Sequence, residues 1–187
     1  MVIEIKQTTY HELRQMEFDE NDNSFYELLD GEIMKRSAPT PYHQELSGNL
    51  YEVIKSFVKK NKIGKIFYAP IDVFLDEYNA PQPDLVYLSN EKAGFITNEG
   101  IVGVPDLVIE IISPTSVLRD RITKKNIYER FGITEYWLVD ANNQEIEIYT
   151  IENGKYELFS SVSLFESNEL KSKVLADLEV NLNEIFS

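Results

Sequence analysis

The sequence predicts an α/β domain in which a mixed β-sheet is flanked by helices and preceded by an N-terminal β-hairpin. Three observations carry that reading. Short apolar, β-branched runs recur at 66–75, 82–88, between Pro105 and Pro114, and at 136–139, each the length of a buried strand. Helical spacings fall between them, at Leu46, Leu50, Ile54 and Phe57 and again at Lys124, Ile127, Tyr128 and Phe131. No repeat, low-complexity run or linker divides the 187 residues, so one domain over 1–187 is expected, long enough to bury a core.

The elements follow in order. Thr9-x-x-Glu12 is a capping-box pattern and starts a short helix that fades by Met16. Asp19 to Ser24 is polar and acidic, a loop. Residues 25–34 read as two short strands joined by Asp30-Gly31, a dipeptide suited to a hairpin turn that needs φ > 0. Beyond Pro39 and Pro41 a helix is predicted from His43 to about Lys59, with Gly64 expected to end it. The run 66–75 reads as one strand, 76–79 as a turn, 82–88 as the next strand and 89–103 as a polar loop. Ser113-Pro-Thr-Ser is turn chemistry and leads into a helix that reaches Phe131. A third buried strand at 136–139 turns at Asn142-Asn143 into 145–150, whose alternation predicts one wet face. Residues 155–163 extend that meander, and a short final helix is placed within 174–186.

Acids inside the strand patterns are the unusual feature. Asp106 and Glu110 interrupt one core strand, and residues at i, i+2 and i+4 share a face, so both point the same way. Asp84 sits near the start of the preceding strand on the face of Val86. A buried ionised carboxylate costs several kcal/mol unless paired, hydrogen-bonded or bound to metal. In the following helix Lys124 heads the apolar stripe, whereas Lys125 is turned about 100° away. Two readings stay open on these residues alone: a metal site with an ammonium beside it, or a structural ion pair of Lys124 with Glu110 or Asp106.

Composition narrows the chemistry. No apolar run approaches the length of a bilayer span, and no basic leader precedes an apolar stretch, so no membrane association and a cytoplasmic protein are expected. The absence of cysteine excludes disulfides and thiolate metal sites, and two histidines make a multi-histidine zinc site a poor fit. Any metal would have oxygen ligands, which favours Mg²⁺, with Mn²⁺ as the alternative. The net charge of −14 lies wholly in the flanks: 1–34 holds nine acids and two bases, 140–187 holds ten and three, and 35–139 holds thirteen of each. Within the middle, bases cluster at Lys55, Lys59, Lys60, Lys62 and Lys65, and at Arg119, Arg121, Lys124, Lys125 and Arg130. Such clusters can follow a phosphate backbone or can be solvated helix faces.

Taken together, the Asp-Gly-Glu hairpin at 30–32, the Pro41-x-His43 helix start, Gln82-Pro-Asp84, Pro105-Asp-Leu-Val-Ile-Glu110, Ser113-Pro, Asp120-Arg-x-x-Lys124-x-x-x-Tyr128 and Gly132-x-x-Glu-Tyr-Trp-Leu-Val-Asp140 resemble the Uma family of endonucleases. That family is a branch of the restriction-endonuclease-like PD-(D/E)XK superfamily, and the resemblance spans roughly 25–187. It implies a Mg²⁺-dependent phosphodiesterase acting on DNA, with Asp84 and Glu110 as the motif's acids and metal ligands. The superfamily's lysine would stand at 112, where this chain has Ile112; in Uma-like sequences it moves to the following helix, here Lys124. Asp106 is a candidate further ligand, and His43, with Glu45, a candidate for the edge of the site. Paired nucleases of this fold also imply a homodimer. The alternatives are an inactive nuclease-fold module that grips nucleic acid or a protein partner, or a structural Lys124–carboxylate network.

Overall fold

What organises the chain is a sheet whose two faces are covered by different things. In a computed structural model, residues 7–17, 24–113, 116–165 and 169–187 are described. The loop expected at 19–24 and the Pro114-Thr115 turn therefore lie largely outside the described residues. In chain order the elements are α1 (Tyr10–Gln15), β1 (Phe25–Leu29), β2 (Glu32–Arg36), α2 (Pro41–Asn61), β3 (Gly64–Tyr68), β4 (Val73–Phe74), β5 (Leu85–Ser89), β6 (Ile101–Val102), β7 (Leu107–Ile112), α3 (Lys125–Phe131), β8 (Glu135–Asp140), β9 (Glu145–Glu152), β10 (Lys155–Ser163) and α4 (Leu182–Ile185). A 3₁₀ turn spans Asn90–Phe95, and a π-helical turn, Arg119–Lys124, leads directly into α3.

Six strands form the mixed sheet in the order β10-β9-β8-β7-β5-β3, with only β7 and β8 parallel. A parallel pair needs a long crossover, and the π-turn and α3 supply it. Alternation along β7 divides the core. Leu107, Ile109 and Ile111 face α2 and the C-terminal segment, while Val108 and Ile112 face α3, the β1–β2 hairpin and the small β4–β6 pair. Helix α2 buries Leu46, Leu50 and Ile54 as read from sequence, but Val58 and not Phe57 completes the stripe, and Phe57 packs half-buried beside it. The capping box at Thr9 and Glu12 is formed, and Asp30 and Gly31 both take positive φ in the hairpin turn.

Some expectations need correction. Residues 89–103 are not one polar loop, since they hold the 3₁₀ turn and β6, and Ile101 is fully buried. Gly64 does not end α2; Lys62 does, at φ 55°. Gly64 opens β3 instead, where a Cβ would lie 2.1 Å from the Leu88 carbonyl oxygen, so glycine is required by close strand approach. The run 66–75 is likewise two elements, since β3 stops at Tyr68, before Pro70, and β4 pairs with β6 in a separate sheet. Proline carries no N–H for a ladder, and a run of apolar residues does not reveal that break.

Candidate active site

The β1–β2 hairpin, the β5–β7 pair and the π-turn before α3 converge on one buried polar cluster. Leu85 pairs with Ile109, so continuing that register one residue sets Asp84 opposite Glu110 on the face shared with Val86 and Val108. Both carboxylates are almost fully buried. Asp84 Oδ2 accepts the Ile111 N–H at 2.8 Å and meets His43 Nε2 at 3.2 Å, while Oδ1 accepts from Arg36 Nη2 at 2.9 Å. Glu110 Oε1 accepts from Lys124 Nζ at 2.9 Å and from the Tyr128 hydroxyl at 2.6 Å.

Lys124 is fully buried and bridges two acids, reaching Glu27 Oε2 as well as Glu110 Oε1 at 2.9 Å. The π-turn helps to place it. Its wider winding sets both Asp120 and Lys124 inside, and such turns are frequent at functional sites. Arg119 Nε lies 3.5 Å from Glu27 Oε1, yet neither atom makes a hydrogen bond within the described residues. The two atoms, with Asp120 3.6 Å from the same nitrogen, are held as ion pairs without hydrogen-bond geometry.

Electrostatics divide the cluster. Burial pushes Glu27 up, but Lys124, Arg36 and Arg119 outweigh it and hold its carboxyl below the ordinary range. Burial likewise opposes ionisation of Asp84, and the His43 hydrogen bond with the Arg36 charge holds it well down. Glu110 goes the other way. Burial, reinforced by Asp120, Asp84 and Glu27, overcomes Lys124 and raises it to about 8. Asp120 is raised by burial too. Lys124 loses to burial but gains more from Glu110 and Glu27, so its pKa is raised and it stays an ammonium. His43 is raised because the Asp84 contact outweighs burial. The pair opposite one another is thus divided: Asp84 is held as a carboxylate, while burial disfavours charge on Glu110.

Of the residues singled out from sequence, Asp84, Glu110, Lys124 and His43 come together. Lys125 is turned away, its Nζ 3.3 Å from the centre of the Tyr149 ring. Asp106 does not join them. Its carboxylate accepts the Ser89 N–H at 2.7 Å and pairs with Lys92 at 2.9 Å. Four residues of strand separate it from Glu110, about 13 Å at the usual rise, so a shared face is not a shared site. Glu45 is exposed. Ile112, at the superfamily's lysine position, is core, and the ammonium arrives from the π-turn instead.

Glu27, Arg36 and Asp120 were not anticipated. Glu27 carried a signal, since period-two spacing sets it with Leu29 on the inner face of a hairpin strand. Asp120, Lys124 and Tyr128 stand at i, i+4 and i+8, one face of a helix, within a motif already quoted. Arg36 ends the hairpin after its apolar pattern has stopped, and nothing in the sequence marks it.

The fold is shared with a solved structure. A crystal structure from Anabaena variabilis, described as a "putative nuclease belonging to DUF820", superposes with a TM-score of 0.74 over 95% of this chain and 97% of that one, at 20% identity. No curated protein matches the chain in sequence. The pattern of the Uma2 family, described as "Putative restriction endonuclease", matches residues 9–183, and the chain belongs to that family.

Proposed function

We propose that this protein is a metal-dependent nuclease that hydrolyses phosphodiester bonds of DNA at the Asp84–Glu110 site. The observation that carries the reading is an acid pair on adjacent core strands, buried beside an inward ammonium, with one acid raised to about 8. An excess of buried acid that keeps a proton is what a cation would relieve. The donors are all carboxylate oxygens, a set that fits Mg²⁺ or Mn²⁺. Among the described residues no three acid or histidine side chains are arranged to hold an ion, so Asp84 and Glu110 would share it with water or phosphate oxygens, as Mg²⁺ prefers. A divalent ion there supplies charge against the scissile phosphate and acidifies a bound water. Lys124, held charged by Glu27, contributes a fixed positive charge and cannot act as a base. His43 sits against Asp84 at the cluster's edge, the place for a group that orients water or moves a proton. The reading includes a cytoplasmic homodimer with one site per strand, which sedimentation would check.

A second reading, an inactive nuclease-fold module that grips nucleic acid or a protein, draws on Asp84 itself. Arg36, His43 and the Ile111 N–H already occupy both of its oxygens. Thermal melts with and without Mg²⁺ or Mn²⁺ separate the two. Binding at 100 times the dissociation constant adds about 2.7 kcal/mol of stability. The nuclease reading expects a shift in wild type that Glu110→Gln loses, and plasmid cleavage that Asp84→Asn lowers by roughly 10³-fold. No shift in either protein and no cleavage would leave the binding module.

A further inference from the structure

Outside the buried cluster, one surface row leads away from it. His43, Ser47, Tyr51, Lys55 and Lys59 follow one another at i+4 along α2, so they form a continuous, slowly tilting row about 24 Å long. The row starts at the cluster, because His43 meets Asp84. Glu45 lies off it by helical geometry, and Glu52, three residues before Lys55, flanks it. Edge strand β3 borders it. Tyr68, the last residue of β3, pairs with Leu85, and the next N–H, of Ala69, bonds the Asp84 carbonyl oxygen at 2.9 Å. The Tyr68 ring packs against Tyr51 at 4.8 Å and 73°, and the residue is 59% exposed. Lys55 Nζ lies 5.0 Å from the centre of the Tyr51 ring, and Lys55 and Lys59 are exposed.

An exposed ring, Tyr68, backed by the half-buried Tyr51 and followed by two exposed lysines, on a chain whose charge is otherwise strongly acidic, suits a ligand with negative charge and flat apolar faces. An unpaired nucleic-acid strand has both, whereas a duplex hides its base faces. We propose that this row is the track of a single strand leaving the Asp84–Glu110 site, with a base stacked on Tyr68 and phosphates held by Lys55 and Lys59. The proposal rests on that site being where the phosphodiester is cut; on this track the cut strand lies unpaired beside it.

The test is fluorescence anisotropy in chelator, where no turnover intervenes, with labelled oligothymidylate, oligouridylate and a mixed-sequence duplex. Wild type is expected to bind single strands more tightly than duplex. Tyr68→Ala should weaken single-strand binding by roughly five-fold or more, the scale of one lost stack. Lys55→Ala and Lys59→Ala should each flatten the salt dependence by about 0.7 in log–log slope. The two oligonucleotides separate DNA from RNA as the natural strand. Unchanged single-strand affinity in all three variants, or preference for duplex, overturns the track. Because Tyr68, Lys55 and Lys59 are exposed, their substitution leaves the fold intact, and a melt checks it. Wild-type hydrolysis of thymidine 5′-phosphate p-nitrophenyl ester in Mg²⁺ tests the cutting site separately. Ester cleavage with unchanged oligonucleotide affinities refutes the track alone; no ester cleavage with weakened Tyr68→Ala binding refutes the cutting site alone.

Discussion

Two buried glutamates stand on neighbouring parallel strands, Glu110 on β7 and Glu135 on β8, and are housed in opposite ways. Glu135 is closed by neutral donors. Its Oε1 accepts the Trp137 indole N–H and the Ser172 hydroxyl, each at 2.6 Å, and Oε2 accepts the N–H groups of Lys173 at 2.7 Å and Val174 at 3.1 Å. It pins the C-terminal segment to the α2 face, where Leu175, Leu178 and Phe186 join the core. Glu110 has a lysine and a tyrosine on one oxygen, further acids around it, and a pKa raised to about 8. A carboxylate that serves the fold is met by dipoles built for it. One suited to chemistry is left among charges, where a proton, a cation or a substrate can change the balance.

The comparison is broken most forcefully at Lys124. Lys124→Met leaves Glu27 and Glu110 buried without their shared cation, and removing one partner of a buried pair costs about 3–5 kcal/mol. Denaturant melts should show that loss. Burial disfavours charge on Glu110, so the charge that most misses Lys124 is Glu27, and adding Glu27→Gln should recover more stability at neutral pH than adding Glu110→Gln. Equal recovery would mean that both acids are ionised around the lysine.

Why the sequence revealed one of these environments and not the other follows from the geometry. Period two set Glu110 beneath Val108 and inside the core, and helical spacing chose Lys124 over Lys125, so the middle of the site was legible. The hairpin, α2 and the longer strands were legible for the same reason, because each follows its own repeat, whereas the two-residue strands β4 and β6 are too short to show one. Asp106 showed the limit: periodicity assigns a face but no position along it, and register with β5 sends that carboxylate to Ser89 and Lys92. Arg36 and Glu27 come from a hairpin whose docking on the sheet is set by distant contacts, such as the Leu28–Ala80 bridge. The clamp at Glu135 was illegible because three of its four partners lie 37 to 39 residues later, in a stretch with no regular repeat.

Glu135→Gln sharpens the contrast from the other side. An amide offers one acceptor where the carboxylate offered two, and turns an N–H₂ towards groups that themselves donate. Leaving such groups unsatisfied costs about 1–3 kcal/mol. The loss should be local as well as global, with faster hydrogen exchange at the Lys173 and Val174 amides than in β8. Unchanged exchange there would remove the clamp from the account.

The gentlest probe is the pH dependence of Glu110→Gln, measured in chelator. In the unfolded chain Glu110 titrates near its ordinary 4.5, and in the folded protein it is raised to about 8. Between those values the folded state holds a proton that the unfolded state has released, so stability falls as pH rises, by at most about 1.4 kcal/mol per pH unit. Glutamine has no such proton, so the variant should gain on wild type steadily from 4.5 towards 8 and then run parallel to it. The neighbours do not imitate this. Asp84 is depressed, so its contribution is present above the ordinary aspartate range and is lost only in acid. His43 is raised, so its contribution is present below 6.5 and lost as pH climbs through its folded value, but it is common to both proteins and largely cancels in the difference. A difference curve that stays flat would mean that Glu110 is ionised when folded. The two glutamates would then differ in their partners and not in their charge, and the excess acid that calls for a cation would have to be sought at Asp120 instead, the other acid that burial raises.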